Sequence, residues 1–276
     1  MMRRTPDRAE LAAAVEVNSV EACRTWSAWP RLDLHDDPDV VWTITDLPFP
    51  QFNTVLSARL PAEGVEAAIA TVLEPFRERG VPMAWWTGPR TTPADLDGRL
   101  SAAGLALVDE SVGMAGALDE LAAVRRRLRS SIAVVEEVVG VENLRAWSAV
   151  LGEVFGFSRR ASYHWTAMHE AAGYGPGRGW RHYLGAIEGR IVGTASAFHG
   201  SEVVGIANVA VRAPARGRGV ATALAVRALD DARAAGFEIA TLWSSLDGER
   251  VYRFLGFEPC CRGACWVDRG PSVARP

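Results

Sequence analysis

Arg216-Gly217-Arg218-Gly219-Val220-Ala221 is the stretch whose residue types and spacing point most directly to chemistry. It lies between an apolar run that reads as a strand, Val203 to Val211, and an alanine-rich run that reads as a helix, Val220 to Ala235. Glycines at a strand-to-helix turn let the backbone come close to a ligand. The first turn of a helix then offers unpaired N–H groups and a partial positive charge. Arg216 and Arg218 add full charge. The stretch is suited to holding a phosphate or pyrophosphate.

Composition narrows the chemistry. The 276 residues contain no lysine, so a Walker-A phosphate loop, a pyridoxal-phosphate Schiff base and any lysine nucleophile are excluded. Net charge is −3, which argues against a nucleic-acid partner. The four cysteines, Cys23, Cys260, Cys261 and Cys265, have no metal-ligand spacing with histidine, and no metal is expected. The N-terminal residues show no signal-peptide pattern, and no apolar stretch is long enough to span a bilayer. A cytoplasmic protein without membrane contact is the expectation. Nearly half the residues are apolar, enough for one large or two small cores.

The elements that must position the turn are legible from periodicity and stop signals. Asp7 to Trp26 reads as a helix, then Val40 to Thr45 and Thr54 to Leu60 as strands. Glu63 to Arg79 is a helix closed by Gly80, and Pro82 to Thr87 a strand. Thr92-Pro93 opens a helix to Ala103, and a strand starts at Leu105. Leu118 to Ser131, with Arg125-Arg126-Arg127 and Arg129, reads as a solvated linker or helix face. It sets the expected domains at 1–120 and 130–276.

The second half restarts with a strand (Ile132 to Val139) and two helices, Glu142 to Phe155 and Ser162 to Ala172. Three hairpin-linked strands follow: Arg181 to Ile187, Ile191 to Phe198 and Val203 to Val211. After the helix at Val220 come a strand (Ile239 to Ser244), a short helix (Asp247 to Leu255) and strands over Phe257 to Val267. A weak repeat is visible. Trp85-Trp86-Thr87, a short helix and Gly104-Leu105 mirror Leu242-Trp243-Ser244, a short helix and Gly256-Phe257. The first copy has no arginine–glycine turn. A Rossmann reading fails because the third glycine position is Thr222 and the turn follows hairpins.

The second half resembles the GCN5-related N-acetyltransferase (GNAT) family. Arg216, Gly219 and Ala221 fill the family's Gln/Arg-x-x-Gly-x-Gly/Ala pattern, and Asn208-Val209-Ala210-Val211 resembles the end of its fourth strand. Leu242 through Phe257 resembles a second conserved region, a small polar residue at a strand end and a Tyr before Gly-Phe. The resemblance implies an α/β (α+β) fold of two GNAT-like domains, each a mixed, mostly antiparallel sheet flanked by helices. The first domain is the degenerate copy. It implies acetyl-CoA as acyl donor, its pyrophosphate on the N–H groups of Arg216, Gly217, Arg218, Gly219, Val220 and Ala221. Val209 and Val211 would pair with the pantetheine arm, and the amide of Ala210 or Val211 would meet the thioester carbonyl. Tyr252 is the implied general acid, and Ser245 either caps the short helix or orients Tyr252.

The implied reaction is direct transfer of the acyl group to an amine, with a small molecule as the favoured acceptor. The base is not specified. The strand Gly205-Ile206-Ala207-Asn208 has no acid; Glu202 and His199 lie in the preceding turn, and Asn208 could only orient a water. His164 and His169 are five apart, so they do not share a helix face and make no zinc-binding pair; His182 lies in the same presumed substrate-side region. Trp147, Trp165 and Trp180 read first as core and second as an acceptor pocket. A second reading drops the chemistry and keeps the ligand: an inactive acyl-CoA-binding module. For assembly, either a homodimer or a monomer whose halves pack as a pseudo-dimer is expected.

Overall fold

The computed structural model describes residues 6–125 and 133–269. Helix α1 (Arg8–Arg24) starts with a capping box: Asp7 accepts from the amides of Ala9 and Glu10, and Glu10 returns a bond to the Asp7 amide. A 3-10 turn, Thr25–Ala28, extends it. Strands β1 (Asp33–Asp36), β2 (Val40–Ile44) and β3 (Thr54–Ala58) follow, then α2 (Val65–Arg79), β4 (Met83–Thr87), α3 (Leu96–Ala102), β5 (Ala106–Ala117) and α4 (Leu118–Arg125). The second run is β6 (Val134–Glu137), α5 (Gly140–Phe155), α6 (Arg159–Ala172), β7 (Trp180–Ile187), β8 (Arg190–His199) and β9 (Val204–Val211). It continues through α7 (Val220–Ala234), β10 (Ile239–Ser245), α8 (Glu249–Leu255) and β11 (Glu258–Asp268). Strand β1 has no counterpart in the sequence reading, since its polar Asp33-Leu34-His35-Asp36 carries no apolar alternation. The span read as strands over Phe257 to Val267 is one strand. Arg126, Arg127, Arg129 and Ile132 lie outside the described residues.

Of the described residues, those up to Trp29 and Gly113–Cys260 form one compact unit; Pro30–Val112 and those from Cys261 onward form the other. These units are drawn differently from the expected division at 1–120 and 130–276. Helix α1 belongs with the C-terminal half, and most of β11 with the N-terminal half. Pairing decides this, and pairing is not visible in local sequence. β11 runs antiparallel to β4 through Trp266↔Trp85, while Leu118 donates to Glu238 O just ahead of β10.

Each unit repeats one order of pairing. In the smaller unit β1, β2 and β3 are antiparallel and β4 joins β3 in parallel, with α2 as the crossover. In the larger unit β6, β7, β8 and β9 are antiparallel and β10 joins β9 in parallel, with α7 as the crossover. The weak sequence repeat is therefore a repeat of topology. The smaller unit's core gathers Ile69, Leu73 and Phe76 of α2 on Val55, Trp85 and Trp266. The larger unit lays α7 on one sheet face, where Gly185 and Gly193 leave room for Val220 and Leu224. Trp147 of α5 donates from Nε1 to Ala195 O at 3.2 Å, fixing α5 to β8. Charge closes the α7 side: Arg181 bonds Glu137 and reaches Asp231 at 3.0 Å, and Asp231 also accepts from Tyr183 and Arg227.

Helix α1 is held within the larger unit by polar bonds, the first of them buried. Asn18 Nδ2 donates to Val203 O at 2.9 Å, Glu21 accepts from the Ser201 amide at 3.0 Å, and Trp243 Nε1 donates to Ser19 Oγ at 3.2 Å. The approach is close enough that a Cβ on Gly205 would sit 1.9 Å from Asn18 Oδ1. Gly205→Ala is expected to lower the unfolding free energy by about 1–3 kcal/mol, the usual range for overpacking. Combined with Asn18→Ala, the loss is expected to fall short of the sum of the two single losses. Urea unfolding of the full chain reads all three variants, and strict additivity would contradict this docking of α1.

Candidate functional site

The arginine–glycine turn lies where the sequence puts it, between β9 and α7, with one added 3-10 turn at Ala213–Ala215. Gly217 and Gly219 both have left-handed φ, 72° and 77°. Side-chain-bearing residues avoid that region, so these two positions require glycine. A Cβ on Gly217 would meet nothing within 4 Å, so the turn faces open space. The amides of Gly217, Arg218 and Gly219 have no backbone acceptor among the described residues, and the first helical bond of α7 is Ala223 to Gly219 O. Those three amides, with Val220, Ala221 and Thr222 behind them, make a concave set of donors at a helix N-terminus. Arg216 departs from expectation. Its amide already donates to Ala213 O, and its Nε donates to Val211 O at 3.1 Å, so its backbone is committed to the turn. Arg218 is exposed.

The strand leading into the turn is split. β9 pairs with β10 only from Val204 to Ile206, opposite Ala240 to Leu242. Beyond that the strands part, and β9 keeps β8 alone, through Thr194↔Ala210 and Gly193↔Val211. The parting coincides with a bulge in the β8–β9 register between Thr194 and Ser196, where Asn208 has φ 54°. Asparagine is among the residues that tolerate this region best. Burial follows the change: Val204 to Ile206 are buried and Ala207 to Val209 partly exposed. Val209, Ala210 and Val211 thus share a strand edge that has lost its β10 neighbour, ready to pair with an extended ligand.

Tyr252 lies on α8, one strand and one turn beyond the parting, edge-on to Phe257 at 6.0 Å. Burial raises its phenol above the ordinary range, which keeps the proton on oxygen at neutral pH. Its hydroxyl makes no hydrogen bond to a described residue. Ser245 does not orient it. Ser245 Oγ accepts from the Gly248 amide at 3.1 Å, closing the turn into α8, so of the two expected roles the structure shows the turn-capping one.

The candidates for a base separate. Glu202 and His199 sit at the opposite end of β9; Val204 to Asn208 alone spans roughly 13 Å at strand rise. His164 is buried against Trp29. Trp147, Trp165 and Trp180 are buried, at 0%, 8% and 3% exposure, which makes them core. What sequence reading missed is that His182 and Ser196 face the bulge: Asn208 Nδ2 lies 3.3 Å from Ser196 Oγ, which lies 2.8 Å from His182 Nδ1. The only sequence signal was polar residues at inward positions of β7 and β8. Among the described residues there is no cluster that could hold a metal, and no helix long and apolar enough to cross a membrane.

Sequence comparison agrees with this geometry. Residues 144–257 match the model of the Acetyltransferase (GNAT) family. Over that stretch the chain is similar to this family. No curated protein matches the chain. Among solved structures, the chain is similar to a GCN5-related N-acetyltransferase from Kribbella flavida (15% identity, TM-score 0.69, 94% of this chain and 97% of that one). It is also similar to a tandem GNAT protein from the clavulanic acid biosynthesis pathway (14%, TM-score 0.60, 95% and 96%). A third is a GCN5-related N-acetyltransferase from Sphaerobacter thermophilus (18%, TM-score 0.59, 98% and 96%). These likenesses extend the GNAT fold to both halves.

Beneath the β9 bulge, His169 and His182 are buried completely among Trp26, Trp147 and Trp180. Burial pushes His169 down to about 3, and burial followed by the neighbouring His169 holds His182 well below its ordinary value. Both are neutral in the folded chain, while the unfolded chain protonates them below pH 6.5. Stability from this source is complete above pH 6.5 and is lost as pH falls, at about 1.4 kcal/mol per pH unit for each histidine. His169→Phe is expected to flatten the dependence by that one-histidine slope between pH 6 and 4, read by urea unfolding. Identical slopes in variant and wild type would contradict it.

Proposed function

We propose that the chain is an acetyl-CoA-dependent N-acetyltransferase. Its C-terminal unit would carry out the reaction on an amine, with a small molecule as acceptor. One observation carries the reading: two left-handed glycines expose unpaired amides at the start of α7, directly after a strand that has shed its neighbour. A phosphate cradle and a free strand edge in series suit a ligand with a pyrophosphate at one end and an amide-bearing arm leading to a thioester. The GNAT family match supports it.

Gly217, Arg218, Gly219, Val220 and Ala221 supply the donors for the pyrophosphate, and the helix dipole of α7 adds to them. Val209 and Val211 pair with the pantetheine amides, and the amide of Ala210 or Val211 meets the thioester oxygen as charge builds on it. The amine nitrogen bonds to the thioester carbon and the carbon–sulfur bond breaks. Tyr252 gives its proton to the departing sulfur, and the proton shed by the new amide nitrogen returns through water to the phenolate. The N-terminal unit lacks a comparable turn: β3 reaches α2 through Arg59-Leu60-Pro61-Ala62-Glu63-Gly64. It is assigned a scaffold role.

Calorimetry and thioester consumption test the reading. Wild type is expected to bind acetyl-CoA, and Gly219→Val or Arg218→Glu to weaken binding by about tenfold or more, as expected for losing donors or inverting charge at the anion site. Tyr252→Phe is expected to keep acetyl-CoA affinity while lowering kcat about 100-fold or more, the scale of a lost general acid. No binding by wild type would overturn the reading. Binding without amine-dependent thioester loss across a broad amine panel would make the chain an acyl-CoA-binding module instead.

A further inference from the structure

Asn208 occupies the point where β9 bulges and leaves β10. Three buried polar groups hold it there. Thr194 Oγ1 donates to Asn208 O at 3.0 Å, Asn208 Nδ2 reaches Ser196 Oγ at 3.3 Å, and Ser196 Oγ reaches His182 Nδ1 at 2.8 Å. Thr194, Ser196 and His182 are each 0% exposed. Asn208 is partly exposed. A row of buried groups from β7 and β8 therefore ends in one accessible carboxamide.

The direction of the row follows from its inner end. His182 Nε2 has no hydrogen-bond partner among the described residues. The ring centroids of Trp147, His169, Tyr174 and Trp180 lie 4.3, 4.8, 5.6 and 5.6 Å from that of His182. Ring faces accept an N–H weakly and offer nothing to a bare lone pair. Nε2 therefore keeps the proton of the neutral ring, and Nδ1 is the acceptor. Ser196 then donates to His182 and takes the Asn208 Nδ2–H on its own lone pair. The carboxamide nitrogen is committed to β8, which leaves Oδ1 as the free end; it has no hydrogen bond to a described residue.

We propose, on the acyltransferase reading of this cleft, that Asn208 Oδ1 accepts an N–H of the acceptor, with Ser196 and His182 as its positioning residues. One N–H held by Oδ1 turns the nitrogen lone pair toward the thioester carbon. The acceptor class is then a primary amine, which keeps a second N–H to lose on forming the amide. A thiolate or other acceptor that brings only lone pairs finds no donor on Oδ1 and is disfavoured. The chain replaces the carboxylate missing from this strand with a neutral group that orients the nucleophile, and the proton leaves to water.

The test uses the full chain, acetyl-CoA and a panel of primary amines. Asn208→Gly is the informative variant, because glycine keeps the backbone at φ 54° and removes the side chain. On amines that wild type acetylates, Asn208→Gly is expected to lower kcat/KM for the amine by about tenfold, the scale of one lost hydrogen bond. Acetyl-CoA affinity is expected to stay within about twofold, since no contact to it is lost. Ser196→Ala is expected to give a smaller loss in the same parameter, and the double variant no more than Asn208→Gly alone. Histidine ¹⁵N spectra are expected to show His182 bare at Nδ1 and protonated at Nε2, with the Nδ1 signal moved by Ser196→Ala. Unchanged amine kinetics in Asn208→Gly, additive losses, or a protonated Nδ1 would each overturn the proposal while leaving the acyltransferase reading intact. Failure of wild type to bind acetyl-CoA or to acetylate any amine would overturn both.

Discussion

The parting of β9 from β10 is the constraint on which the site depends. A parallel strand pair ordinarily continues its ladder as far as both chains run. Here it stops after Ile206 and Leu242, although β9 continues to Val211 and β10 to Ser245. The bulge supplies the physical cause. One extra residue, Asn208, takes a left-handed conformation, bends β9 and re-aims its edge. The backbone groups released from the ladder need partners, which water or a ligand running along the edge would provide. The same bend delivers the chain to a turn whose two glycines turn amides outward. Strand edge, phosphate cradle and carboxamide are three consequences of one local departure from regular pairing.

That departure is held from the inside. Ser196 and His182 stand beneath the bulge, and behind them lie aromatic rings from α5, α6, β7 and the turn after α1. Packing of this kind leaves no route for water, so the histidines stay neutral and their hydrogen-bond roles stay fixed. A charged group in the same place would demand a counter-ion beneath the bulge. The chain uses neutral polar groups in a dry setting and places a partly buried charge group elsewhere, in the Arg181–Glu137–Asp231 set that secures α7.

The two halves share a topology yet differ in what they keep. Both build an antiparallel run closed by a parallel strand, with one crossover helix. Only the second has the arginine–glycine turn. The halves are also not independent stretches of chain: α1 seats on β9 and β10, and β11 pairs with β4. A chain cut at residues 120–130 would take α1 from the sheet that it covers and β11 from the strand it pairs with. This follows from hydrogen bonds between residues as distant as Asn18 and Val203, not from any composition change along the sequence.

Much of this was written in the sequence. Helix ends came from glycine stops, as at Gly80 and Gly256, because glycine ends the helix ladder locally, while the Ser158 cap that starts α6 ahead of the expected Ser162 was missed. The strand-to-helix turn at Gly217 and Gly219 was legible because only glycine suits its backbone. Tyr252 and the strand end at Val209 to Val211 came from resemblance to a family. What tertiary structure alone decided involves partners far apart in the chain. It made Ser245 a turn cap and not a partner of Tyr252. It removed His199 and Glu202 to the far end of β9 and turned the tryptophans into core. It joined Asn208, Ser196 and His182, which belong to three strands and have no local signal in common. Sequence patterns record what a residue does to its neighbours in the chain; register and packing choose its neighbours in space, and the polar row beneath the bulge is built from the second kind.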